Sequence, residues 1–149
     1  MKMIKLLPLL TLATFLTSCG GSSVGLGGGS DSLASVQVNS TDLAKAKRVT
    51  REVFAEEGFR ETGATSGTLF FTKQGDRAAR LAWGGWGDDV MINPEVLVMR
   101  AGGGIRLDCD LYITTVSEAF GESDARKPWR AGQSAYRKVL TRIKKRIEN

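Results

Sequence analysis

Apolar and polar positions repeat with two different periods between Asp31 and Asn149, and each change of period marks an element. Ser35-Val36-Gln37-Val38 alternates residue by residue and predicts a short first strand. From Leu43 the spacing becomes helical, with Leu43, Ala46, Thr50, Val53, Phe54 and Glu57 in the repeat. Ser40 or Thr41 can cap that helix, with Asp42 in its first turn. Gly58 offers the left-handed residue that ends it, and Phe59 the apolar contact behind.

Period-two character then returns. Thr68 to Lys73 and Ala78 to Trp83 flank Gln74-Gly75-Asp76-Arg77, which predicts a hairpin. Glu95 to Ala101 and Ile105 to Thr115 flank Gly102-Gly103-Gly104 and predict a second. In the later strand Ile105, Leu107, Cys109, Leu111 and Ile113 alternate with Arg106, Asp108, Asp110, Tyr112 and Thr114, so one face meets a core and the other meets water. The register at the glycines is open: a three-residue loop turns Leu97 and Met99 inward, a two-residue loop Val96 and Val98. A final helix, with Pro128 near its first turn, carries Gly132, Tyr136, Val139, Leu140, Ile143 and Ile147 as its apolar stripe. The order β-α-β-β-β-β-α predicts one α+β domain over 31–149. Its form is a two-layer sandwich, an antiparallel sheet of four to five strands with two helices packed on one face.

The chain before that domain has a different character. Met1 to Lys5 is short and basic, and Leu6 to Leu16 is an uncharged run of eleven residues. Crossing a hydrocarbon core takes about 20, so the run is a secretory signal rather than a membrane span. At its end, Leu16-Thr17-Ser18-Cys19 resembles the lipobox of bacterial lipoprotein precursors. The resemblance implies a signal peptide over 1–18, a thioether-linked diacylglycerol on Cys19, cleavage before Cys19 and acylation of the freed amine. Two or more acyl chains anchor a protein stably. Gly20 is not the Asp that signals inner-membrane retention in such precursors, which favours an outer-membrane anchor facing the periplasm. Gly20 to Ser30 contains six Gly and three Ser. It therefore reads as a tether with an r.m.s. reach of about 18 Å. No strand precedes Gly25–Gly29, no helix follows and no Lys-Ser/Thr is present, so these glycines do not make a phosphate loop.

Composition removes most chemistry. The 149 residues include two Cys and no His. Histidine triads, imidazole bases, His-ligated metals and tetrathiolate sites are all excluded, and the sequence predicts no catalytic residue, metal site or cofactor. Charge is divided unevenly. Arg126 to Asn149 holds nine Lys/Arg against one acid, whereas Asp31 to Ala125 holds ten against fifteen. Arg130, Arg137, Lys138, Arg142, Lys144, Lys145 and Arg146 form a basic ridge opposite the apolar stripe. It suits an anionic leaflet, lipopolysaccharide phosphates or an acidic envelope protein, or else a solvated face balanced by the acidic remainder. Nucleic acid is excluded as a partner by export.

Three smaller features complete the candidates. Asp108 and Asp110 point the same way from one strand, and with Asp88 and Asp89 they are the acids a small glycan hydrolase would use. A solvated face, however, does nothing to raise a carboxyl pKa. Trp83-Gly84-Gly85-Trp86-Gly87-Asp88-Asp89 sets two Trp among glycines, as an aromatic platform for glycan or peptide or as core cover. Cys109 lies in the apolar row as a buried thiol. In the register that turns Val96 and Val98 inward, Leu97 and Met99 join Phe70 as candidates for the uncovered face, where a lipid- or glycan-binding module would place its site. The expectation is a lipid-anchored envelope protein with a non-catalytic interaction or assembly domain.

Overall fold

The computed structural model describes residues 32–84, 89–117, 121–122 and 132–149. The elements are β1 (Ala34–Val38), α1 (Leu43–Glu56), β2 (Arg60–Ala64), β3 (Thr68–Gln74), α2 (Arg77–Trp83), β4 (Asp89–Ala101), β5 (Gly104–Ser117), β6 (Gly121–Glu122) and α3 (Gln133–Glu148). The strands form an antiparallel sheet in the order β1-β5-β4-β3-β2, with the two-residue β6 extending it beside the end of β5. Helices α1 and α3 pack on one face, which makes the two-layer α+β sandwich the pattern predicts.

The long β4–β5 hairpin is the spine. Its turn pairs Ala101 with Gly104, and Gly102 and Gly103 take φ of 57° and 78°. Two successive left-handed residues make the tight turn whose twist matches the strands, and glycine takes that backbone without a Cβ penalty. The two-residue loop therefore holds. Val96 and Val98 turn inward with Leu107 and Cys109, while Leu97 and Met99 lie on the opposite face.

Helix α1 ends as its sequence predicts. Gly58 N–H donates to Ala55 O at 2.9 Å and Phe59 N–H to Phe54 O at 3.0 Å, a Schellman closure, with the Phe59 ring edge-on to Phe54 at 5.5 Å. Its start differs: Asp42 is the cap, accepting from Lys45 N–H at 2.9 Å, and Ser40 Oγ accepts from Asp42 N–H. The core then closes around Phe54, which stacks on Phe71 of β3 at 4.5 Å and 11°. From α3, Tyr136, Leu140, Ile143 and Ile147 are buried against the same core.

Other expectations are corrected. Ala78 to Trp83 is not a strand: Arg77–Trp83 is helical, capped by Asp76, which accepts from Ala79 N–H at 2.8 Å. Alanine and arginine are strong helix formers, and six residues are too few for alternation to outweigh a good cap. The partner of β3 is β4 instead, which begins at Asp89 rather than Glu95. Pro94 obscured that start, because an imide removes a ladder donor. The β3–β4 ladder accordingly breaks between Phe70–Glu95 and Lys73–Ile92. Across the gap Thr72 Oγ1 donates to Asn93 Oδ1 at 2.7 Å. β2 (Arg-Glu-Thr-Gly-Ala) is exposed throughout and has no apolar alternation to betray it; backbone pairing with β3 alone defines it. Gly132 precedes α3 as its cap at φ 83° rather than joining the stripe, and Pro128 lies outside the described residues.

Candidate functional site

Two surfaces carry the candidate chemistry, the sheet face away from the helices and the outer side of α3. Strand alternation fixes the first. Phe70, Thr72, Met91, Asn93, Glu95, Leu97, Met99, Arg106, Asp108, Asp110, Tyr112 and Thr114 share it, most of them half-buried. A hydrogen-bonded chain crosses three strands there. Thr72 donates to Asn93 Oδ1, and Asn93 Nδ2 donates to Thr114 Oγ1 at 3.0 Å.

Asp108 and Asp110 share this face as predicted, but each has structural work. Arg106 Nε donates to Asp108 Oδ1 at 2.9 Å, and Asp108 is only 8% exposed. Asp110 Oδ1 accepts from Leu33 N–H at 3.0 Å, which fixes the chain as it enters β1. Arg106 Nη2 is buried without a hydrogen-bond partner. Among the described residues no three acid or Cys side chains gather as a metal-holding group. Asp89 sits at the start of β4 and accepts from Gln74 Nε2 at 3.1 Å, away from the Asp108–Asp110 pair in register. Asp88 and Trp86 lie outside the described residues, as does the side chain of Trp83, the last residue of α2. Cys109 is fully buried between Val96 and Ala34 in register, and desolvation first, then the Asp110 charge, pushes its thiol far above the ordinary range. It is an inert core thiol.

The basic ridge divides into two sets. Arg146 grips Glu56 of α1 with both terminal nitrogens, at 2.7 and 2.8 Å, and Arg142 reaches Glu57 at 2.5 Å. Lys144 pairs with Glu148 at 3.7 Å. These three are committed within the domain, and two of them tie α3 to α1. Arg137, Lys138 and Lys145 are exposed. Among the described residues none of their side chains enters an ion pair. Arg130 and Cys19 lie outside the described residues. Local spacing carries no sign of the acids that capture Arg142 and Arg146, because Glu57 and Glu56 are 85 and 90 positions away.

The Arg146 hydrogen bonds, reinforced by its charge, hold the Glu56 carboxyl below its ordinary value of 4.5. A depressed folded value means that the pair's stabilisation is complete above the unfolded pKa and is lost as pH falls through the folded one. The native protein is therefore expected to lose stability below about pH 4.5 more steeply than its Glu56→Gln variant. Thermal midpoints measured from pH 6 to pH 3 check this; parallel curves would contradict it.

No helix among the described residues is long and apolar enough to cross a membrane. Compared with protein-family models and with curated proteins, the chain matches none.

Proposed function

We propose that this chain is a lipid-anchored protein of the cell envelope whose α+β domain is a non-catalytic interaction or assembly accessory. Acylation of Cys19 holds it to the membrane, with the periplasmic side of the outer membrane favoured by Gly20, and residues 20–30 carry the domain as a tether. The observation that supports this most is the fate of Asp108 and Asp110. The carboxylate pair best placed for acid–base work is engaged by Arg106 and by the backbone of Leu33 on a sheet face. A general acid has to be free to exchange its proton with a substrate, and both carboxylates are instead occupied as acceptors within the domain.

A second reading, a module that binds lipid or glycan, is favoured by one observation. Phe70, Leu97 and Met99 are half-buried on the face that also holds the Thr72–Asn93–Thr114 chain. Apolar area beside fixed donors and acceptors is the usual composition of a small-ligand surface.

Proximity cross-linking in intact envelopes separates the two, with Cys19→Ser as control and mass spectrometry as readout. A stoichiometric protein partner that vanishes in the control is the result expected of an accessory. Lipid or glycan adducts alone, without a protein partner, would move the assignment to the binding module.

A further inference from the structure

Helix α3 presents its cations unequally. Tyr136, Leu140, Ile143 and Ile147 face the core, so Lys138 and Lys145, seven positions apart, point directly away from it, with Arg137 beside them. Among the described residues, the acids of α1, its C-cap and α3 are already in use: Glu52 on Arg48, Glu56 on Arg146, Glu57 on Arg142 and Glu148 on Lys144. Lys45, the nearest cation of α1, donates to Ile147 O. Among the described residues, the outward row therefore keeps its positive charge without a paired acid.

β1, the first strand after residues 20–30, lies beside α3. α3 runs alongside β1 in the same direction. Glu148 at its end accepts from Asn39 N–H just past β1, while Gly132 at its start lies against Leu111, two positions beyond the partner of Ala34. Ser32, where the described chain begins, thus lies at the end of the sheet where α3 begins. Twelve residues separate Cys19 from Ser32. A Gly/Ser-rich chain of that length has an r.m.s. reach of about 19 Å, close to the length of α3, about 24 Å for its 16 residues. The whole row lies within reach of the membrane that holds the anchor.

We infer that Arg137, Lys138 and Lys145 form a docking surface for anionic phospholipid headgroups, which lays the α3 side of the domain on the bilayer and leaves the open sheet face turned outward. This rests on the anchor at Cys19 and goes beyond it by assigning the orientation of the domain. Side chains of this kind sense the leaflet potential within a Debye length, so docking is reversible and sensitive to salt.

The test uses the mature, acylated protein in vesicles of phosphatidylcholine alone or mixed with phosphatidylglycerol. A fluorophore is placed at Thr141→Cys within the row or at Thr62→Cys on the far edge strand, since buried Cys109 does not compete for the label. A headgroup-bound quencher should reach position 141 in the phosphatidylglycerol vesicles only, and far less in high salt, while position 62 stays unquenched. Arg137→Gln with Lys138→Gln and Lys145→Gln should lower the docking constant by about a hundredfold, at about fivefold per charge. Arg60→Gln with Arg77→Gln and Arg80→Gln removes the same net charge elsewhere and should leave quenching intact. Equal losses in both triple variants, or quenching that ignores phosphatidylglycerol, would overturn the proposal. Failure of the anchor itself is separately visible, because a chain without acyl mass would not be retained in the vesicles.

Discussion

Truncating Phe54 to Ala is expected to lower the unfolding free energy by about 3–5 kcal/mol, a large share of the margin of any domain of this size. Phe54 is fully buried and meets two other rings, stacked on Phe71 and edge-on to Phe59. It is therefore where α1, its C-terminal closure and β3 are joined. Removing the ring leaves a cavity that the α1 backbone, held by the Schellman turn, cannot follow. Urea titration checks this: the midpoint should fall sharply with little change in slope. A loss under about 1 kcal/mol would mean that the helix layer is not seated on this ring.

Gly104→Ala is expected to cost about 1–3 kcal/mol and to loosen β1 selectively. A Cβ there would meet the Val38 carbonyl oxygen at a distance real Cβ atoms do not adopt, and backbone has to move. Gly103→Ala is the useful comparison: nothing surrounds its Cβ, and only its φ of 78° opposes the change. Hydrogen exchange should show protection lost across residues 34–38 in Gly104→Ala while β3, β4 and α1 keep theirs. Uniform loss would contradict a local effect. On the proposed anchoring the consequence extends to function, because β1 follows residues 20–30 and lies along α3. Loosening it would then lengthen the tether and free the domain from the proposed orientation.

The parts of the fold readable from sequence were those in which burial dictates side-chain pattern. The alternation from Ile105 to Ile113 and the helical spacing of α3 follow directly from one apolar face each. Gly58 was readable because a Schellman turn requires its backbone. Elements held by other means were not. β2 is a fully exposed edge that leaves no mark in hydropathy, and α2 depends on one Asp cap. β4 runs through Pro94 only because its neighbour's ladder opens there. At the candidate sites, sequence placed Asp108 and Asp110 together but could not show that Arg106 and Leu33 hold them. It placed six cations on α3 but could not separate Arg142 and Arg146, clamped on α1, from Arg137, Lys138 and Lys145. That division depends on tertiary partners, which no local spacing encodes.

The central claim, a domain held to the envelope by acylated Cys19, is tested most directly by intact mass and N-terminal fragmentation of the protein extracted from membranes. The expected mature chain begins at Cys19 and carries the added mass of a diacylglyceryl group and an amide-linked acyl chain, with no such species from Cys19→Ser. A chain beginning at any other residue, or beginning at Cys19 without acyl mass, would contradict it.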